Sequence, residues 1–224
     1  MKLVIFDFDG TLVDSRKLIT ESNRVVFGQF GFAQPSEEAS FALVGMSLEL
    51  VLPRLAGPDA PVDKMMAAYR EVLPLLRADE AYAEVPYAGA SELLAELSAR
   101  NDVRLGIATG HVLHAIAPAL EQFGWQQHFC TVQTADKAPS KPDPQMILQA
   151  LTEGGVKPGD AIMVGDTSFD MEMAGAADVH ALGVSWGYHR SDRLRAAGAS
   201  RVVDDVSELR DCLLQWISPA PGKP

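Results

Sequence analysis

Leu3-Val4-Ile5-Phe6-Asp7-Phe8-Asp9-Gly10-Thr11-Leu12-Val13-Asp14-Ser15 is the stretch on which the reading of the fold turns. Its first four residues form an unbroken apolar run, the pattern of a strand buried on both faces of a parallel sheet. Two carboxylates follow, Asp7 and Asp9, with Gly10 and Thr11 directly behind them. Alternation along an extended chain sends Asp7 and Asp9 to one side and Phe8 to the other, toward apolar packing. Gly10 permits a turn that a side chain would obstruct. Two acids this close repel each other and have no use in a plain core. A bound cation resolves the conflict, and hard oxygen ligands point to magnesium. An Asp-Gly pair alone signals only a turn; the full Asp-x-Asp-Gly-Thr pattern at the end of an apolar strand is far more specific.

Outward from this stretch the pattern is helical at first. Leu18, Ser22, Val25, Val26 and Phe30 recur at helical spacing, and Gly31 is a plausible stop. A second helical stretch lies around Glu37 to Leu43, followed by Gly45 and by Leu48, Leu50, Val51 and Leu55. Met65, Met66, Tyr69, Val72, Leu73 and Leu76 mark an amphipathic helix expected to kink or end near Pro74. No strand signal occurs between Asp14 and Ala83, so residues 15–84 read as an all-helical insert. From Gly89 on, helices alternate with apolar strands: Val103 to Ala108, Phe129 to Gln133, Ala161 to Val164, Val179 to Val184 and Arg201 to Val203. That alternation predicts an α/β fold with a doubly wound parallel sheet. The predicted core is 1–14 with 85–217, and the proline-rich tail 218–224 is expected to be disordered.

With 224 residues, 47% hydrophobic and 22% charged, the chain has ample material for a core. The net charge of −11 argues against nucleic acid or an anionic membrane as partner. Any site for an anion must therefore be made locally, against the overall charge. No apolar run approaches transmembrane length, and Met1-Lys2 leads straight into the first strand, so no signal peptide is expected. Cys130 and Cys212 show neither metal-ligand spacing nor a disulfide framework. The expected location is the cytoplasm, as a monomer or homodimer.

Ligands of open α/β sheets bind at the carboxyl ends of the strands. Polar residues gather there: Asp7 and Asp9 after one strand, Thr109-Gly110-His111 after another, Gly165-Asp166-Thr167-Ser168-Phe169-Asp170 after a third. Lys141, in Ser140-Lys141-Pro142-Asp143-Pro144, opens the helix following a fourth. In this order the four segments closely resemble the four motifs of the haloacid dehalogenase superfamily, most of whose members are aspartate-nucleophile phosphatases. The resemblance spans essentially the whole chain. The helical insert is similar to the small cap of the subgroup containing phosphoglycolate phosphatase and β-phosphoglucomutase.

The resemblance implies a Rossmann-like core with an inserted cap and a magnesium-dependent phosphatase acting on a small phosphorylated metabolite. It implies Asp7 as nucleophile, forming an aspartyl-phosphate, and Asp9 as the acid that protonates the leaving oxygen and then activates water. Thr109 and Lys141 would hold the phosphoryl group. Magnesium would sit among Asp7, the Asp9 backbone carbonyl and Asp166, with Asp170 behind them. Backbone N–H groups of Phe8, Asp9 and Gly110 are candidate phosphoryl donors, and Thr11 is expected to steady the turn and Asp9.

His111 adjoins the phosphate turn and could touch substrate or stand solvated at a helix start; His189 could line the pocket from a strand-end loop. Ser47 and Ser168 have no adjacent base, so a serine-hydrolase reading fails. A β-phosphoglucomutase-like mutase is the nearest alternative, but Leu48 follows Gly45-Met46-Ser47 where such mutases carry arginine. A true dehalogenase lacks the second acid, present here as Asp9. A phosphoryl-accepting signalling module would share paired acids, Thr and Lys, but the helical insert and Gly-Asp-x-x-x-Asp count against it.

Overall fold

In the computed structural model, which describes residues 1–218, the opening apolar run is β1 (Lys2–Phe6), followed by a turn into β2 (Val13–Asp14). Four helices come next: α1 (Arg16–Gln29), α2 (Glu37–Phe41), α3 (Leu48–Ala56) and α4 (Val62–Arg77). The chain returns through β3 (Val85–Pro86) and then alternates. The order is α5 (Ala90–Ser98), β4 (Val103–Ala108), α6 (Leu113–Gln122), β5 (Phe129–Gln133), α7 (Gln145–Gly154), β6 (Ala161–Gly165), α8 (Ser168–Ala176), β7 (His180–Val184), α9 (Ser191–Ala196), β8 (Arg201–Val203) and α10 (Val206–Ile217). Most of the tail expected to be disordered lies outside the described residues.

The main sheet has the order β5-β4-β1-β6-β7-β8, with every pairing parallel. The predicted doubly wound α/β architecture is therefore what the chain adopts. β1 is central, between β4 and β6, where the strand order reverses; its carboxyl end opens into the crevice where such sheets bind ligands. Alternation along β1 sends Val4 and Phe6 into one core layer and Leu3 and Ile5 into the other. A strand buried on both faces has no room for a polar residue, which is why this run is continuous.

The insert has its own apolar cluster. Leu18, Val26 and Phe27 of α1 pack with Leu52 of α3 and with Met65, Tyr69, Val72 and Leu73 of α4. Met65 is fully buried in this cluster and Met66 packs against it. α4 neither ends nor breaks at Pro74 but runs on to Arg77. Pro74 removes one helical hydrogen bond close to the C-terminus, and burial of Val72 and Leu73 holds the helix in place. The sequence reading also missed a small antiparallel ladder, in which Val13 pairs with Pro86 and Asp14 with Val85. Strands of two residues carry too little periodicity to be recognised. Among the described residues no helix is long and apolar enough to cross a membrane.

Candidate active site

Backbone pairing puts the polar residues at one end of the sheet. The Asp7 amide donates to the Val164 carbonyl at 2.9 Å, and the Thr109 amide to that of Gln133 at 3.0 Å, so each residue is fixed just past its strand's last paired position. Gly10 follows in the left-handed region at φ 76°, and a Cβ there would stand 2.3 Å from Asp166 Oδ2. The turn therefore needs glycine both for its backbone angle and for space.

Asp7, Asp166 and Asp170 are all buried, and one carboxylate oxygen from each lies within 4.8 Å of the others. Lys141, fully buried, donates to Asp170 Oδ1 at 2.6 Å and lies 2.8 Å from Asp7 Oδ1. Asp7 Oδ1 also accepts from the Phe8 amide at 2.7 Å, while Asp7 Oδ2 is buried with no partner. Asp166 accepts from the Thr11 hydroxyl and from the Tyr188 amide, each at 2.8 Å. Asp170 Oδ2 accepts from the Thr167 amide at 3.0 Å and its hydroxyl at 2.7 Å, closing a capping box that starts α8.

Charge and burial set the titration of this cluster. Burial, then repulsion from Asp170, pushes the Asp7 carboxyl well above its ordinary value despite Lys141. The same two causes push Asp166 up to about 7. Lys141 is held above its usual range because its two carboxylates outweigh the cost of burying it. Three buried acids facing one lysine leave an uncompensated negative site, and Asp7 carries an orphan oxygen in it. An all-oxygen donor set with that charge fits a hard divalent cation such as magnesium.

Asp9 is arranged differently. Its Oδ2 lies 2.6 Å from His111 Nε2, and its Oδ1 accepts from the Ser15 hydroxyl. Burial would raise the Asp9 carboxyl, but the His111 charge and hydrogen bond, with Ser15, outweigh it and hold it low. The mirror-image effect holds His111 above its ordinary value against burial. The sequence reading weighed His111 as a substrate contact or a solvated residue and missed it as the partner of Asp9. Ser15 was missed too. Its signal was its place at the end of the opening stretch, just before α1, whereas nothing in the sequence links Asp9 to His111.

Asp7, Asp9, Thr109, Gly110 and His111 line one cavity beneath the insert. Thr11 lies buried beside Asp166, so its hydroxyl steadies that residue rather than Asp9. The Phe8 side chain packs in the core edge-on to Trp125, leaving only its backbone near Asp7. His189 does not line this cavity. Its Nδ1 accepts from the Ser168 amide at 2.9 Å, and its Nε2 lies 3.2 Å from the Ala42 carbonyl. Burial, with Arg193 nearby, lowers it to about 4, the neutral form this pair of bonds needs.

His189 is one of several ties between insert and sheet. Phe41 packs on Tyr188 with ring centroids 5.1 Å apart, and the Ser47 amide donates to Ser140 Oγ at 2.8 Å. The Gly45 and Met46 carbonyls approach so near to Gly110 that a Cβ there would lie 2.6 and 2.7 Å from their oxygens. The segment from Phe41 to Ser47 thus presses directly on the strand ends.

Comparison with known proteins places these features in a wider group. The sequence profile described as haloacid dehalogenase-like hydrolase matches residues 4–184. A phosphoglycolate phosphatase of Rhodospirillum rubrum is 32% identical over 99% of this chain and 93% of its own length. The tyrosine-protein kinase PtkA of Mycobacterium tuberculosis is 31% identical over 95% of this chain and 72% of its own. The crystal structure of a hydrolase from Pseudomonas syringae superposes with a TM-score of 0.84, covering 96% of this chain and 98% of that one at 23% identity, and shares the fold.

Proposed function

The chain belongs to the haloacid dehalogenase-like hydrolase family, and from that membership we propose that it is a magnesium-dependent phosphatase that hydrolyses a small phosphomonoester through an aspartyl-phosphate. The observation that carries the reading is the state of Asp7. One oxygen is pinned by Lys141 and the Phe8 amide, and the other is buried, unpartnered and part of a residue lining the cavity. A carboxylate so oriented is a preorganised nucleophile.

Asp7 attacks phosphorus, and the bond from phosphorus to the ester oxygen breaks. Asp9 passes a proton to the leaving oxygen as it takes one from His111, 2.6 Å away, which leaves Asp9 a carboxylate beside a neutral imidazole. Asp9 then removes a proton from water. The resulting hydroxide attacks phosphorus, the bond to Asp7 breaks, and inorganic phosphate leaves. Lys141, Thr109 and the amides of Asp9 and Gly110 hold the phosphoryl oxygens as charge shifts among them. The Phe8 amide, bonded to Asp7 before substrate arrives, can join them. Magnesium would be held by Asp7, Asp166 and the Asp9 carbonyl, with Asp170 committed to Lys141 and Thr167. When bound it neutralises carboxylate and phosphoryl charge that would otherwise repel.

Residues 15–84 act in this reading as a cap over a core of 1–14 and 85–217, excluding water and selecting the leaving group. The relatives named phosphoglycolate phosphatase support the reaction class.

The test uses purified protein, an aryl phosphate and intact-mass measurement. Chelation should abolish turnover and magnesium restore it, and Asp7→Asn should neither turn over nor take up a phosphoryl group. Full turnover after verified metal removal, or a phosphorylated Asp7→Asn protein, would refute the proposal.

A further inference from the structure

The cavity above the carboxylates has a volume of about 80 Å³. Asp7, Asp9, Thr109 and Gly110 lie on its sheet side, but the insert side is of another chemistry. Ile19 of α1, Leu43 and Val44 after α2, and Leu48, Val51 and Leu55 of α3 face it. The three α3 residues stand at i, i+3 and i+7, a single helical stripe. They are half-buried, Leu48 and Leu55 also packing on the insert's own core, whereas Leu52, one step round the same helix, is fully buried in it. Ile19 and its neighbour Leu18 divide in the same way.

Asn23 and Ser40 interrupt the apolar wall, and both are engaged. Asn23 Nδ2 donates to Ser40 Oγ at 3.0 Å, and the Tyr69 hydroxyl donates to Asn23 Oδ1 at 2.5 Å. Among the described residues no lysine or arginine lines this cavity. His111 does, but it is committed to Asp9 at 2.6 Å. Lys141 lies fully buried against Asp7 and Asp170.

A leaving group bearing a carboxylate would bring its charge unpaired into this space, close to Asp7 and Asp9. Burying an unpaired charge beside like charges is strongly disfavoured. A compact apolar group meets no such barrier and covers wall that is otherwise left wet. Resting on the phosphatase reading above, we infer that the enzyme's preferred substrates are phosphate monoesters of short, neutral, apolar alcohols, not of hydroxy acids such as glycolate. An apolar cavity of about 150 Å³ accommodates benzene. The smaller space here, which must also take the phosphoryl group above Asp7, suits only a short alkyl body while the insert stays as it is.

A neighbouring cavity of about 140 Å³ between α4 and α6 meets the first at Leu48, Gly110 and His111, and includes Arg70 and Arg77. Arg77 is occupied by Glu84 and by the Ala115 carbonyl, while Arg70 is exposed. Neither Asp7 nor Asp9 lines that second cavity, so Arg70 could serve only a leaving group that extends past His111.

The experiment compares kcat/KM, with magnesium, for butyl phosphate, 3-methylbutyl phosphate, 2-phosphoglycolate and an aryl phosphate. The alkyl esters should exceed phosphoglycolate at least tenfold. Leu48→Arg and Val51→Arg, each placing a cation on the apolar stripe, should narrow or invert that ratio by tenfold or more. Thermal melts establish that each variant is folded, and if neither folds, the ratio in the unsubstituted enzyme decides. Phosphoglycolate turned over as well as or better than the alkyl esters, with the aryl ester also hydrolysed, would overturn the leaving-group inference and leave the phosphatase reading intact. Loss of that phosphoglycolate activity in Arg70→Ala would show the charge being read in the second cavity. No turnover of any ester, aryl included, would remove the phosphatase reading and this inference with it.

Discussion

Two regions of the molecule meet across one cavity, the strand ends beneath it and the helical insert above, and they differ in how tightly each residue is held. At the strand ends nearly every polar atom has a named partner: Lys141 between Asp7 and Asp170, Asp166 between Thr11 and Tyr188, Asp9 between Ser15 and His111. On the insert side the lining is mostly aliphatic, with Asn23 and Ser40 satisfying each other and Tyr69. Hydrogen bonds fix direction, whereas apolar contacts fix only shape and volume. On the reading proposed above, reaction chemistry and choice of leaving group reside in separate parts of the chain, and changes in the two should have separable effects.

After the complete loss expected of Asp7→Asn, the largest effect is at Asp9. General acid–base assistance is worth about 10²–10⁴-fold, so Asp9→Asn should lower steady turnover of an alkyl phosphate by about that factor. An aryl ester needs little protonation of its leaving oxygen. Asp7 should therefore still attack it, and hydrolysis of the intermediate should stall. A burst of product and one phosphoryl group retained on Asp7 by intact mass are expected; unchanged steady turnover would move acid–base work elsewhere.

Gly110→Ala tests the contact between the regions. A methyl group 2.6 Å from the Gly45 carbonyl must push the Phe41–Ser47 segment away from the strand ends. Displacement of about 1 Å can cost about 10²-fold in rate. The loss should fall on kcat/KM for every ester while the melting temperature changes little. A wild-type rate would mean that this close seating is not needed for catalysis.

The smallest effect should come from Glu84→Gln, at the far end of the insert. Glu84 makes a two-pronged pair with Arg77, at 2.7 and 2.8 Å, and Arg77 also reaches the Ala115 carbonyl of α6. Removing one member of a fully buried pair costs about 3–5 kcal/mol, and an exposed one under about 1. With 12% of the Arg77 side chain still exposed, about 2 kcal/mol is expected. That corresponds to a fall in Tm of roughly 4–8 °C. Because Glu84 touches neither wall nor floor of the cavity, the ranking of esters should be unchanged; a reordered ranking would show the two regions to be less separate than the geometry implies.

What was legible in the sequence follows the same division. Asp7, Asp166 and Lys141 were legible because strands and turns are local, and a short run of residues delivers each group to one end of the sheet. The pairing of Asp9 with His111 joins residues from different strands, and only folding shows that their side chains meet. The apolar residues of α3 appeared only as Leu48, Leu50, Val51 and Leu55 following Gly45. Nothing in their spacing says that Leu52 fills the insert's interior while Leu48, Val51 and Leu55 line a cavity. Periodicity identifies a hydrophobic face but not its neighbour.

The two-residue ladder that pairs Val13 with Pro86 and Asp14 with Val85 has a consequence for how such a protein can change. It brings the two crossings of the chain side by side, so the helices between them hang from a closed gate. Lengthening or replacing a segment whose ends are already joined costs the rest little, because the closure entropy grows only slowly with length. An entire recognition module could then be transplanted between relatives at Val13 and Pro86, leaving the carboxylates and their lysine undisturbed. On the proposed reading, these two short strands act as an interchange point, where one hydrolytic core can be refitted for a different alcohol.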